Sequence, residues 1–173
     1  MLVNLRNFIR DVHDFPKKGI VFKDISPLLG SPIVFANAIE QIHHKWDGKV
    51  DSIAALDARG FIFGAALAYS LRVPLVMLRK KGKLPGNTRE KSYSLEYGTA
   101  TLEVQENAFE LGDRVLLVDD LLATGGTARA GCDLIEMSGA QVAGCAFIIE
   151  LSALGGRDIL AGREVQTLVN YEE

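Results

Sequence analysis

Four short, continuously apolar runs alternate with helical segments, and this alternation constrains the fold more than any other feature. The runs are VDSIAAL (Val50–Leu56), VPLVML (Val73–Leu78), VLLV (Val115–Val118) and VAGCAFII (Val142–Ile149). A strand with one wet face alternates apolar and polar residues, whereas these runs do not, so each must be covered on both faces. Between them, Phe61–Leu71 has the small, apolar look of a buried helix. Gly126–Ser138 offers Cys132, Leu134, Ile135 and Met137 at helical spacing. The pattern predicts an α/β domain with a parallel twisted sheet flanked by helices. Ligands of such sheets bind outside the carboxyl ends of the strands, and those ends hold the candidate chemistry.

Other segments depart from this pattern. Leu5, Phe8, Ile9 and Val12 predict a short amphipathic helix near the N-terminus. Residues 79–106 open with RKKGKLPGNTREK and continue into two alternating segments, Ser92–Glu96 and Thr99–Gln105, joined at Tyr97-Gly98. They read as a mobile polar loop leading into an antiparallel hairpin. The chain of 173 residues suits one domain, here 1–173, with about 1–35 as an N-terminal segment.

Charge interrupts the N-terminus at Arg6, Arg10, Asp11 and Asp14, and the longest apolar run falls short of the ~20 residues of a membrane span. A soluble cytoplasmic protein is expected, without membrane contact. Cys132 and Cys145 stand outside any CxxC pattern and read as small core residues. A net charge of −3 argues against a protein that coats nucleic acid. It leaves room for a small anion at one cationic patch.

The string Val115-Leu-Leu-Val-Asp-Asp-Leu-Leu-Ala-Thr-Gly-Gly-Thr127 carries the strongest chemical signal. A buried strand ends in two acids, followed by TGGT and the start of a helix. Glycines let backbone approach a ligand, and successive N–H groups entering a helix form an anion nest. Thr124 and Thr127 add hydroxyl donors. Asp119 and Asp120 repel phosphate and need another partner, such as ribose hydroxyls or the shell of a Mg²⁺ ion. GxxxxGK[ST] is absent, and no GxGxxG follows a strand, which argues against a P-loop NTPase and a dinucleotide fold.

VLLVDDLLATGGT resembles the phosphoribosyl-pyrophosphate (PRPP) signature of the type I phosphoribosyltransferases. FPKKGIVFKDISPLL (15–29), LDARGFIFG (56–64), LRKKGKLPG (78–86) and SYSLEYG (92–98) resemble, in order, motifs of the adenine-specific branch. The resemblance implies the type I phosphoribosyltransferase fold, with an N-terminal hood and a flexible loop and hairpin over the active site. It implies purine salvage: transfer of the phosphoribosyl group of PRPP to adenine, with AMP and pyrophosphate as products. Mg²⁺ as cofactor, carried mainly by PRPP and water, and a homodimer are also implied.

Residue by residue, the resemblance assigns the 5′-phosphate and ribose to Asp119, Asp120, Ala123, Thr124, Gly125, Gly126 and Thr127. Neighbouring residues on a strand face opposite ways, so both acids meet one ribose only if the strand has ended by Asp120. Pyrophosphate falls to Asp57, Ala58 and Arg59, whose planar guanidinium suits phosphate, in a turn expected to carry a non-proline cis peptide. Lys80 and Lys83, from a run with four cations in five positions, share that role, and the loop is expected to close over PRPP and exclude water. Glu96, beside Tyr97, is the candidate acceptor of the adenine N9 proton. A hairpin Glu paired with a loop lysine is the plainer alternative. Adenine is assigned to main-chain groups near Val21 and Lys23, stacking on Phe22, and packing by Leu151.

Two other functions remain open at this stage. One is transfer to a different purine, xanthine or hypoxanthine, against which GIVFKDIS and SLEYG speak. The other is a non-catalytic PRPP-sensing regulator, which would ordinarily carry a DNA-binding extension.

Overall fold

The computed structural model describes residues 3–95 and 98–172. The chain packs as two units, Met1–Gln41 and Ile42–Glu173.

In the first unit, a single 3₁₀ turn (Leu5–Phe8) is followed by strand β1 (Arg10–His13), strand β2 (Val21–Asp24), the short helix α1 (Ser26–Leu29) and the start of α2 (Pro32–Trp46). The predicted N-terminal helix is corrected to that one turn. Its Asn4 cap accepts from the Arg6 amide, Ile9 is already extended, and Val12 pairs with Phe22 across an antiparallel ladder. An isolated helix this short is marginal, so pairing with β2 prevails.

Asp24 ties the ladder together. It accepts from the Ser26 amide at 2.9 Å and from Arg10 Nη2 at 2.6 Å. The bonds from Ser26, and then Arg10, hold its carboxyl down at about 2. A depressed carboxyl contributes stability above its unfolded pKa of about 3.9 and loses it as pH falls through the folded value. Hydrogen exchange across residues 10–24 is therefore expected to quicken between about pH 4 and pH 2 in wild type. In Asp24→Asn that step should be absent.

The second unit is built on a seven-stranded sheet. Its elements are β3 (Ser52–Leu56), α3 (Gly60–Leu71), β4 (Leu75–Lys80), β5 (Thr88–Ser94), β6 (Thr99–Gln105), β7 (Arg114–Leu122), α4 (Gly126–Met137), β8 (Gln141–Leu151), α5 (Gly156–Ile159) and β9 (Val165–Tyr171). The spatial order is β5-β6-β4-β3-β7-β8-β9. β4, β3, β7, β8 and β9 run parallel, while β6 is antiparallel to both β4 and β5.

The expected helix-flanked parallel sheet is thus present, with two differences. The hairpin of residues 88–105 extends the sheet itself: β4 continues to Lys80 and pairs with β6, which leaves only 81–87 as loop. A fifth parallel strand, β9, lies beyond the four apolar runs, since Gln166, Thr167 and Asn170 interrupt VQTLVNY.

Small residues let both sheet faces be covered closely. A Cβ on Gly131 of α4 would stand 3.0 Å from Leu117 and 3.3 Å from Leu56 and Leu78, so these leucines face α4. On the opposite face, Gly64 of α3 sits against Ala55 and Leu75. Cys132 and Cys145 are fully buried in the α4-side core, their sulfurs 3.7 Å apart as free thiols. Trp46 covers Gly144 and donates to Gln166 Oε1 at 2.8 Å. Among the described residues, no helix is long and apolar enough to cross a membrane.

Candidate active site

The TGGT turn stands where β7 gives way to α4. Gly125 has φ +84°, a region that only glycine enters cheaply, and turns the chain into the first turn of α4. The first four amides of a helix lack intrahelical acceptors, so the loop directs donors outward. Ala123, Thr124, Gly125, Gly126 and Thr127 line a cleft of about 90 Å³ together with Asp119. That is the scale of one phosphate group. Gly156 backs the loop, packed against the Ala123 carbonyl, and a Cβ on Gly125 would stand 2.7 Å from the Gly156 carbonyl. Gly156 is held in turn by Arg157, which donates twice to the buried Glu150, at 2.9 and 2.6 Å, and once to Thr167.

The two acids diverge. β7 continues to Leu122, so the strand has not ended at Asp120, and the condition for both acids to meet one ribose is not fulfilled. Asp119 is partly buried and lines the cleft; its Oδ1 accepts from the Asp120 amide at 2.8 Å. Burial and the neighbouring Asp120 charge push its carboxyl well above the usual range. Asp120 is buried on the α3 side, with Oδ2 2.8 Å from Arg59 Nε. Burial raises its carboxyl as well, while the Arg59 guanidinium opposes the shift.

After β3, the Asp57–Ala58 peptide is cis, as the sequence motif implies, and α3 begins at Gly60. Gly60 is packed so closely that a Cβ would stand 2.9 Å from both Asp119 Oδ1 and the Val118 carbonyl. Asp57 is an acceptor: its Oδ2 takes Arg79 Nε at 3.3 Å and the Lys80 amide at 3.4 Å, with Lys83 Nζ at 4.0 Å. It gathers the basic segment, and phosphate would meet the cations it holds. A second cleft of about 430 Å³, lined by Asp57, Lys80, Tyr93, Leu95, Asp119 and Thr127 among others, joins these groups to the phosphate loop.

Sequence reasoning passed over Tyr93, whose hydroxyl accepts from Thr127 Oγ1 at 3.2 Å and brings the hairpin to the loop. The alternation of Ser92–Glu96 put it on one face of a strand, yet nothing local showed which face met α4. Glu96 and Tyr97 lie outside the described residues.

In the first unit, Val21, Phe22 and Lys23 form β2. The Phe22 ring meets Phe15 edge-on at 5.2 Å, and Val12, Phe15, Phe22 and Asp24 line an apolar hollow. Lys23 Nζ binds Asp11 at 2.7 Å, so its ammonium is engaged within the ladder. Leu151, in the second unit, closes β8 and is partly buried.

The second unit thus brings a glycine-rich turn with outward-facing amides, a partly buried carboxylate and a cluster of cations to the ends of β3, β4 and β7. It presents no hydroxyl or thiol nucleophile paired with a base among the described cleft residues.

Residues 27–164 match the model of the phosphoribosyl transferase domain. The chain is 56% identical to adenine phosphoribosyltransferase of Methylococcus capsulatus over 96% of its own length and 98% of that protein. To the enzyme of Dinoroseobacter shibae it is 55% identical, over 90% and 88% respectively. In structure it is similar to adenine phosphoribosyltransferase of Thermoanaerobacter pseudethanolicus, with TM-score 0.95, 47% identity and coverage of 99% and 100%. It is also similar to that of Saccharomyces cerevisiae, solved with D-2,5-dideoxy-2,5-imino-altritol 1,6-bisphosphate and adenine, with TM-score 0.89, 37% identity and coverage of 95% and 96%.

Proposed function

This chain belongs to the adenine phosphoribosyltransferase family, and on that premise we propose that it serves purine salvage by transferring the 5-phosphoribosyl group of PRPP to adenine. The bond from C1′ of the ribose to pyrophosphate breaks, the bond from C1′ to adenine N9 forms, and the N9 proton leaves. The observation that carries this reading is the convergence of the Ala123–Thr127 cradle, Asp119, Asp57 and Lys80 around connected clefts.

The cradle holds the 5′-phosphate through backbone amides and the Thr124 and Thr127 hydroxyls. Asp119 accepts from a ribose hydroxyl. Burial beside Asp120 makes its charge costly, and a hydroxyl donor relieves that cost. Asp120 acts one step back by orienting Arg59. Arg59, Lys80 and Lys83 neutralise charge on the departing pyrophosphate, with Ala58 in the turn that aims them and Asp57 holding Lys83 within reach. Such charge stabilisation in a water-poor site is commonly the largest catalytic contribution. Val21, Phe22 and Lys23 present main-chain groups and an aromatic face to adenine, with Leu151 as apolar packing. Glu96 takes the N9 proton beside Tyr97.

Mg²⁺ fits as an ion carried by PRPP. Among the described residues no three His, Cys, Asp or Glu side chains converge on a metal position. Asp57 and Asp119, which line the wider cleft, would hold such an ion through its water shell. When bound, the ion supplies positive charge to the pyrophosphate oxygens. The proposed compartment for this reaction is the cytoplasm. A homodimer through α3 and β4 is supported by Ile62, Tyr69, Leu75 and Met77, which leave an apolar face exposed.

The test is a base-specificity assay. Purified protein with Mg²⁺ and PRPP should convert adenine to AMP, with turnover of hypoxanthine, guanine and xanthine at least about a hundredfold lower in kcat/KM, the discrimination that mispaired buried polar groups supply. Preference for an oxopurine would transfer the chain to another base specificity.

A further inference from the structure

Among the described residues of the second unit, three carboxylates are buried: Asp120, Glu150 and Glu103. The first two face arginines, Arg59 and Arg157. Glu103, in the middle of β6 and 3% exposed, is satisfied differently. Its Oε1 accepts from two consecutive amides, Lys83 N at 3.0 Å and Leu84 N at 2.9 Å, and its Oε2 from Thr88 Oγ1 at 3.4 Å. Among the described residues, no lysine or arginine forms an ion pair with it within 4.0 Å.

A buried charge needs compensation. Here much of the compensation comes from the backbone of the basic loop, with Thr88 adding a hydroxyl, so the charge of Glu103 and the placement of 83–84 support each other. Loop amides hold its carboxyl below the usual range despite burial, which unsuits it as a proton acceptor at neutral pH.

The anchored residue is the one that bears on the cleft. Lys83 is fixed at its amide by Glu103 and at its carbonyl by Arg79 Nη1 at 3.4 Å, while its ammonium lies 4.0 Å from Asp57. Arg79 itself binds Asp57, and the Lys80 amide points at the same carboxylate. In the ladder, Glu103 stands opposite Arg79 on one side and Glu90 on the other, directly beneath the loop.

We propose that Glu103 is a positioning residue for pyrophosphate: it fixes the backbone of Lys83 and Leu84 so that the ammonium groups of Lys83 and Lys80 meet the leaving group of PRPP. This rests on the function proposed above and adds a residue that makes no substrate contact.

The experiment compares wild type with Glu103→Gln, which keeps shape and removes charge. It measures KM for PRPP and for adenine, binding of magnesium pyrophosphate by calorimetry, thermal unfolding, and hydrogen exchange of 81–88. Losing the charge-assisted bonds should raise the PRPP KM and the pyrophosphate Kd about tenfold. The adenine KM should change less than about twofold, and faster exchange should be confined to 81–88. Unchanged pyrophosphate affinity would overturn the proposal, as would equal loss for both substrates with exchange rising throughout the sheet. Should Glu103→Gln fail to fold, Thr88→Val removes one bond. It must shift pyrophosphate affinity in the same direction by a smaller factor, and no shift refutes the assignment. If wild type does not use adenine, the function reading falls, while pyrophosphate binding and loop exchange still decide the role of Glu103.

Discussion

Gly125→Ala is expected to lower kcat/KM for PRPP by about a thousandfold or more, the scale of losing preorganised amide donors at a phosphate site. Two effects act together. An L-residue at φ +84° costs roughly 1–2 kcal/mol. The added Cβ would also stand 2.7 Å from the Gly156 carbonyl and 3.0 Å from the Gly156 Cα, and neither is a flexible side-chain end. The loop must therefore move, and its amides move with it. Gly112→Ala separates the two effects. Gly112 has φ +82° with nothing within 4 Å of a Cβ, so it bears the conformational cost alone. Denaturant unfolding should show a similar order of destabilisation from that cost in both variants, while steady-state kinetics should show loss of PRPP use in Gly125→Ala only. Retained PRPP use by Gly125→Ala would remove the cradle from the mechanism.

Arg59→Met should damage stability and catalysis by separable routes. It leaves the Asp120 carboxylate buried without its guanidinium. The resulting cost is about 1–3 kcal/mol, the range for an unsatisfied buried polar group, because Arg59 itself is partly exposed and screened by solvent. Asp120 is already pushed up by burial, and losing Arg59 pushes it further. A folded carboxyl above its unfolded pKa is destabilising when ionised. The penalty is absent below about pH 3.9 and grows as pH rises through the folded value. Urea unfolding of Arg59→Met should show this pH dependence. Arg59→Met with Asp120→Asn should recover most of the stability and none of the activity, because the cation for pyrophosphate is still missing. Recovery of activity in the double variant would make Arg59 purely structural.

Much of the fold was legible in the chain. VDSIAAL, VLLV and VAGCAFII are apolar on both faces, and that requires helices above and below whatever the topology. β9 escaped because Gln166, Thr167 and Asn170 break VQTLVNY, leaving neither a continuous apolar run nor a clean alternation. The N-terminal residues misled because Leu5, Phe8, Ile9 and Val12 satisfy a helical period over too few residues to outweigh pairing of Val12 with Phe22. The hairpin was legible as a hairpin, but its attachment to β4 was not, since antiparallel pairing of Lys80 with Leu102 joins residues with no local relation.

The candidate site divides in the same way. The sequence by itself determined the glycine turn proposed to cradle phosphate, because strand, glycines, threonines and helix start are neighbours along the chain. It also determined the presence of a dense cationic run and of two adjacent acids in β7, two residues before its end. Only the tertiary structure decided that Asp119 faces the cleft while Asp120 turns to Arg59, that Asp57 gathers the cations, and that Glu103 and Gly156 hold two loops from behind. Which way a strand-end side chain points depends on where pairing with the next strand stops, and which carboxylate is buried depends on what packs across it. Both are set by residues distant in sequence, so no local pattern encodes them.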